Sequence, residues 1–289
     1  NTTGESNVGI GNSALGANTT AAQNTAVGTY ALLSNTTGTG NCAFGYQTLD
    51  AATTADQNSA FGWSALSANT TGTENVAIGH QAMLYNTTGD YNTAVGRAAL
   101  NDNTTGSDNT AMGQQALANN TTASDNTAIG YQALLFNTTG ANMTAVGHQA
   151  LYANTTGSSS VAVGKNALDA NTTGNWNTAV GRNALGANTT ADANVAIGHD
   201  TMNANTTGTY NTAVGYAAFQ ANTTTDYNTA IGAMALAANI ANGNTAVGYN
   251  VLNDNTTGTR NTAMGIAALD SCTTGSYNTS IGAYSLSAG

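Results

Sequence analysis

The chain is notable first for what it lacks. Its 289 residues include no proline, two cysteines, and only four basic residues against fourteen acidic ones. The absence of proline suits a fold in which each segment donates backbone N–H groups to its neighbour. The net charge of −10 argues against nucleic-acid binding, which needs clustered Lys and Arg, and against an anionic membrane surface. No stretch approaches about 18 apolar residues, so no membrane insertion is expected.

What the chain has is a 17-residue repeat that covers its whole length. Numbered from its first Asn, the unit reads N-T-T-G-x-x-N-T-A-V-G-x-x-A-L-x-A, and seventeen copies follow one another with one residue missing near 239–243. We call the residues at one position of successive units a column. Residues 1–289 are therefore predicted to form a single repeat domain. Because no initiator Met or signal peptide is present, we expect a fragment of a longer fibre.

The substitutions within each column predict its environment. Column 10 is always apolar and column 15 is Leu in fourteen copies, so both are predicted to form the core. Column 8 exchanges Thr for Val, which indicates a half-buried or interior site facing the same way as column 10 in a strand. Column 9 is Ala in fifteen copies and is expected to face outward. Such a column of small residues suggests close approach by a second chain, most plausibly in a trimer.

A unit of 17 residues cannot bury its own face, so the units must stack. The sequence predicts an all-β fold, a parallel β-solenoid (β-roll) of seventeen 17-residue coils that associates laterally into a fibre. Positions 7 to 10 form a strand, the glycine at 11 a corner, and x-x-A-L either a second strand or a helical turn. The Asn residues of columns 1 and 7 either form hydrogen-bonded ladders along the stack or simply favour turns.

The strand and corner of every unit resemble the head repeats of trimeric autotransporter adhesins. The matching stretches include Asn75-Val76-Ala77-Ile78-Gly79 and Asn194-Val195-Ala196-Ile197-Gly198. Those head coils are shorter by a few residues, and the Asn-Thr-Thr-Gly turn is the addition here. The longer string N-T-A-V-G-Y-x-A-L-x-x-N-T-T-G is also similar to repeats in phage-type tail fibres and bacterial surface fibres. Both resemblances imply left-handed or related β-rolls, trimeric fibres and extracellular display on a cell or virion.

Residues suited to chemistry are sparse. His80, His148 and His199 all fall in column 12, several coils apart, so one chain cannot bring them together on a metal. Cys42 and Cys272 lie fourteen coils apart, beyond the reach of a disulfide. The carboxylates are scattered through turns, and no nucleophile–base–acid set can be assembled. We therefore predict a non-enzymatic protein without a cofactor or metal.

Column 12 varies most and carries large side chains, and column 6 is similar. These side chains either bind glycans or another surface by stacking, or merely cover the corners of the coils. The candidate binding column comprises Tyr46, Trp63, His80, Tyr131, His148, Tyr216 and Tyr249.

Asn-Thr-Thr occurs in fourteen units and matches the acceptor pattern for N-glycosylation. If column 1 is an internal ladder, no glycan fits there. The candidate sites are Asn69, Asn86, Asn142, Asn154 and Asn205.

The leading functional hypothesis is a structural or adhesive extracellular fibre shaft that associates with itself, as a trimer or filament, and binds a cell-surface or glycan receptor. A phage or phage-like tail fibre is the first alternative. Ice binding through Thr arrays is the second, although ice binders usually present T-x-T and this strand reads T-x-V.

Overall fold

The computed structural model describes residues 2–287 and is a parallel β-solenoid, as the repeat predicts. Each 17-residue repeat contributes one three-residue strand, and turns complete the coil. The chain divides into two compact units, Asn1–Met143 and Thr144–Gly289, which share the same coil design. The strands of the first unit are β1 (Val8–Ile10), β2 (Thr25–Val27), β3 (Cys42–Phe44), β4 (Ser59–Phe61), β5 (Val76–Ile78), β6 (Thr93–Val95), β7 (Thr110–Met112) and β8 (Thr127–Ile129). Those of the second are β9 (Thr144–Val146), β10 (Val161–Val163), β11 (Thr178–Val180), β12 (Val195–Ile197), β13 (Thr212–Val214), β14 (Thr229–Ile231), β15 (Thr245–Val247), β16 (Thr262–Met264) and β17 (Thr279–Ile281).

Consecutive strands within each unit pair in parallel, and each residue faces the residue of the same column in the next coil. Val76 pairs with Thr93 and Ile78 with Val95, a constant offset of 17 residues. The offset falls to 16 only between β14 and β15 within the second unit, where Thr229 pairs with Thr245. The missing residue therefore leaves the strand register intact.

The strands face the opposite way from the sequence prediction. Column 9 points inward: Ala94 and the other alanines of this column are almost completely buried. Columns 8 and 10 point outward, so Ile78 is 41% exposed and Met112 42% exposed. The predictions that column 10 is core and column 9 outward are wrong. Column 8 faces the same way as column 10, as predicted, and most of its residues, such as Thr93, are half-buried rather than interior. The physical reason is that a thin coil has room only for alanine between its strand and its opposite wall, and the apolar side chains of column 10 remain outside.

Column 15 does form the core, as predicted. Leu66, Met83 and Leu100 are fully buried, together with the alanines of column 14. The x-x-A-L segment is neither a strand nor a helical turn. The residues at positions 13 and 15 of the repeat have positive φ, near +58° at Gln81 and +50° at Met83. The N–H groups of these two positions point toward opposite neighbouring coils: Gln81 N–H donates to the Trp63 carbonyl at 2.9 Å and Met83 N–H to the Ala99 carbonyl at 3.0 Å, while Ala82 N–H between them donates to the Gly79 carbonyl in its own coil.

The glycine of column 11 is required by two separate constraints. Gly96 has φ +132°, a conformation available almost only to glycine. A Cβ atom at this position would also lie 2.6 Å from the Gly113 carbonyl oxygen in the next coil. The corner therefore tolerates no side chain, which explains why this is the most constant column.

The Asn residues of columns 1 and 7 form the ladders considered above. Asn92 is fully buried, and its Oδ1 accepts from the N–H of Asn109 at 3.0 Å in the next coil. Its Nδ2 donates to the Gly106 carbonyl at 2.9 Å. In column 1, Asn86 Nδ2 donates to Asn69 Oδ1 at 3.0 Å. Amide side chains inside the coil thus satisfy backbone groups that the short strands leave unpaired.

Candidate binding faces

The first candidate site is the strand face, which we define as columns 8 and 10 of either unit. No residue in these two columns is charged. The outward side chains of column 10 follow one another at the spacing of parallel strands, about 4.8 Å. In the first unit, Phe44 and Phe61 stack with ring centroids 5.0 Å apart and planes 5° from parallel. The strand face is therefore an apolar stripe bordered by column 8, which carries Thr in most coils and Val, Ser or Cys in the others.

Column 12 forms a second, aromatic feature at the corner after the strand, which we call the ring column. Tyr46, Trp63 and His80 occupy three consecutive coils and stack, with centroid separations of 6.2 Å and 4.8 Å and planes within about 10° of parallel. Tyr30, in column 13, contacts Tyr46 edge-on at 6.1 Å. The structure therefore brings together three of the predicted binding residues as a single exposed stack.

The other predicted residues of the ring column are also exposed. Tyr131 follows two coils that carry Arg97 and Gln114 at this position. In the second unit, Tyr216 stacks on His199 at 5.7 Å, a pairing that the sequence analysis did not single out. Tyr249 is 55% exposed and His148 is also exposed.

The stacking limits what the ring column can bind. Trp63 is covered on one face by Tyr46 and on the other by His80. Sugar rings usually bind to an open aromatic face, and Trp63 offers mainly its edge. The stack contributes to cohesion between coils, since parallel aromatic pairs are worth about 0.5–1.5 kcal/mol beyond their area.

The predicted glycosylation sites divide into two groups. Asn69, Asn86, Asn154 and Asn205 are fully buried ladder residues, and each donates from Nδ2, the atom that would carry the glycan, to a backbone carbonyl at 2.9–3.0 Å. Glycosylation at these four positions is incompatible with the folded coil. Asn142 lies in column 6 and is exposed, so it stays a predicted site.

A third feature is the set of ionisable side chains among residues 2–287. His199 Nδ1 lies 3.2 Å from Asp200 Oδ2, on adjacent residues. No cluster of three or more His, Cys, Asp or Glu side chains suited to a metal ion occurs in this part of the chain. Burial raises the pKa of the Cys42 thiol, so its reactive thiolate is disfavoured. No helix long and apolar enough to cross a membrane is found among the same residues.

One candidate site was missed by the sequence analysis. The missing residue near 239–243 was interpreted only as a tolerated deletion in a turn. In the structure it lies beside a cavity lined by Tyr227, Asn242, Gly243, Thr259 and Arg260. The available signal was that column 6 reads Tyr227, Gly243, Arg260 in three consecutive coils, so that a residue without a side chain separates an aromatic from a cation.

Comparisons with protein-family models, with curated proteins and with solved structures find no match to this chain.

Proposed function

We propose that the chain is part of a non-catalytic extracellular fibre, on a cell or virion, whose coils associate laterally with further copies through the strand face. The observation that carries this proposal is the solvent exposure of an uncharged apolar stripe that repeats from coil to coil. Monomeric soluble proteins rarely expose contiguous apolar patches of more than a few hundred Å².

The expected partner is a second copy of the same chain. Column 10 repeats with one side chain per coil, so a copy of the same chain offers apolar residues at the matching spacing along the stack. A trimer satisfies this requirement for all copies, since each strand face turns toward a common axis. The alanines of column 9 are buried inside the coil and cannot contact another chain, so they take no part in this association.

Analytical ultracentrifugation tests the association directly. We expect a mass near three times the 28.8 kDa of one chain. The triple variant Ile78→Thr, Met112→Thr, Ile129→Thr changes only outward side chains and should reduce the mass to that of one chain without loss of the circular dichroism spectrum. A matched variant of the ring column, Tyr46→Ser with Trp63→Ser, should leave the mass unchanged. A wild-type protein that sediments as a monomer at high concentration contradicts the proposal.

We further propose that the ring column contacts a receptor. The column is exposed and aromatic, which suits contact with a glycan or another surface, but its stacked rings offer edges. Contact along these edges would use the tyrosine hydroxyl groups as hydrogen-bonding partners in addition to the ring surface. Glycan-array binding that is lost in the Tyr46→Ser, Trp63→Ser variant would support this role.

Ice binding is a second candidate, favoured by one specific observation. The Thr residues of column 8 point outward on a regular parallel sheet, and Thr93, Thr110 and Thr127 lie in consecutive coils. Such an array presents hydroxyl and methyl groups at constant spacing. The neighbouring column 10 is apolar and larger, which argues against a flat Thr face. Measurement of thermal hysteresis distinguishes the candidates, since a fibre shaft should show none at high protein concentration.

A further inference from the structure

The coil that contains Gly243 is one residue shorter than the others in its unit, and the shortening is confined to its turn. Ile240 N–H still donates to the Thr256 carbonyl at 3.1 Å, as residues of column 2 do elsewhere. Asn239 Nδ2 donates to the Ala241 carbonyl at 2.8 Å, which gives Ala241 the role of position 4. Asn244 N–H donates to Asn228 Oδ1 at 2.9 Å, so the column 7 ladder continues. The absent residue is therefore the one at position 3.

Shortening of the turn is accompanied by a gap in column 6. This column carries Tyr227 in the preceding coil and Arg260 in the following one, with Gly243 between them. A Cβ atom on Gly243 would meet only Arg260 Cγ, at 3.6 Å, so the space beside this glycine is open. The resulting cavity has a volume of about 530 Å³. We call it the slot; its residues are Tyr227, Asn242, Gly243, Thr259 and Arg260.

Both walls of the slot are supported from behind. The Tyr227 ring stacks on Tyr210 with centroids 5.5 Å apart and planes 4° from parallel, on the side away from the slot. The guanidinium of Arg260 lies 5.4 Å from the centroid of the Tyr277 ring and donates a hydrogen bond to the Tyr277 hydroxyl. A planar aromatic group and a planar cation are thus held on either side of Gly243.

The dimensions and polarity of the slot indicate its ligand. Two coil steps separate its walls by about 9–10 Å. A single ring fills such a gap, as Trp63 does between Tyr46 and His80, and a sugar ring also has the thickness to span it. The Asn242 amide and the Thr259 hydroxyl supply polar groups at its base, and a second depression lined by Thr257 and Ile240 adjoins it through the same two residues. The slot therefore suits one ring of a longer glycan.

The charge of the slot points to a carboxylate. Within residues 2–287 Arg260 forms no ion pair with an acidic side chain, and a guanidinium binds carboxylates through two parallel hydrogen bonds. The nearby Asp226 is engaged away from the slot, where its Oδ1 accepts from Thr209 N–H at 2.6 Å and Thr209 Oγ1 at 3.1 Å in the preceding coil. We propose that the slot between Tyr227 and Arg260 binds a carboxylate-bearing sugar ring. None of its residues lies on the strand face, so the site does not depend on lateral association.

A titration with glucuronate, monitored by saturation-transfer NMR, tests the site. Binding of an isolated ring should be weak, with Kd on the order of millimolar. Glucose has the same ring without the carboxylate and should bind at least tenfold more weakly. Benzoate has the carboxylate without the sugar ring, and tighter binding of benzoate than of glucuronate would overturn the assignment.

Two variants locate the binding. Gly243→Tyr fills the slot, and we expect it to abolish the signal; column 6 already carries tyrosines at the same positive φ, including Tyr210 at +57°. Gly40→Tyr is the matched control, because Gly40 occupies column 6 of another coil with φ +69° and similar open space. Arg260→Gln, an exposed substitution, should weaken glucuronate binding at least tenfold. Unchanged binding in Gly243→Tyr or in Arg260→Gln refutes the proposal, whatever the oligomeric state.

Discussion

At the scale of single residues, the corner glycines are the positions least able to change. Gly96→Ala combines an unfavourable φ of +132° with a Cβ atom 2.6 Å from a backbone oxygen. We expect it to reduce the free energy of unfolding by at least about 2 kcal/mol. Gly9→Ala is the control, because column 9 is otherwise almost all alanine and its Cβ would meet atoms no closer than 3.5 Å. Urea denaturation followed by circular dichroism measures both; equal effects would contradict this view of the corner.

Two variants of Asn92 separate the accepting role of its side chain in the Asn ladder from the donating role. Asn92→Ala leaves the Asn109 N–H without its side-chain acceptor, at a cost of about 1–3 kcal/mol, while the Gly106 carbonyl keeps the Asn103 amide as a donor at 2.9 Å. Asn92→Ser should cost less, since Ser160 already occupies column 7 and its Oγ accepts from Asn177 N–H at 3.0 Å. Thermal melts of the two variants should therefore rank the serine above the alanine. The reverse order would show that the ladder contributes little.

Burial raises the pKa of the Asp102 carboxyl above its ordinary value of 3.8. The folded state then binds this proton more tightly than the unfolded state, so ionisation reduces stability above the folded pKa and the loss is recovered as pH falls through it. Asp102→Asn should therefore raise Tm at pH 7. The free energy of unfolding should rise by only about a few tenths of a kcal/mol, because solvent screens a half-exposed group. The gain should vanish near pH 3. Asp254→Asn, an exposed residue of the same column, should show no such gain.

At the scale of the strand, the alternation of three residues decides which side chains form the core. Ala94→Val inserts two methyl groups into the coil interior and should cost about 1–3 kcal/mol. Val95→Thr changes an outward side chain and should alter the stability of the monomer by less than about 0.5 kcal/mol. Denaturation at concentrations where the chain is monomeric checks both. Tolerance of valine at residue 94 together with a large loss at residue 95 would restore the orientation predicted from sequence.

That orientation shows where sequence reasoning succeeded and where it failed. The 17-residue period, the strands, the buried Leu column and the corner glycine follow from the pattern of substitutions, because stacking forces equivalent residues into equivalent places. The direction of the strand does not follow, because Val95 and Ala94 are both apolar. The usual rule that the larger apolar residue is buried fails when the coil is thin enough to admit only alanine. An apolar column can also face outward where another chain covers it, and a single sequence does not distinguish these cases.

The slot illustrates the same limit for the candidate sites. The deletion and the composition of column 6 are both visible in the sequence, but their combination is not. The strand register shows that Gly243, two residues beyond Ala241, falls between Tyr227 and Arg260. The ring stack at Tyr46, Trp63 and His80 was foreseeable from spacing, whereas the covering of both faces of Trp63 was not, since it depends on side-chain orientation.

At the scale of the whole chain, the stack should accept changes in coil length according to where they fall. Deletion of Thr105, at position 3 of its coil, copies the shortening seen near Gly243 and removes an exposed turn residue. We expect a folded protein with a small loss of Tm. Deletion of Ala111, in the middle of β7, shifts the strand register by one residue. Met112 then takes the inward position that Ala111 occupied. This variant should lose the cooperative melt of its unit.

The two deletions remove one residue each, from positions six apart in the same coil, so their difference reports on position alone. In a stack each coil contacts only its neighbours, and a disrupted coil separates those before it from those after it. Hydrogen exchange resolved by peptide should therefore show protection lost around residue 111 in the second variant and retained throughout the first. Equal loss in both would mean that the turn is as constrained as the strand. The 16-residue coil at residues 239–254 would then need a compensation specific to its neighbours.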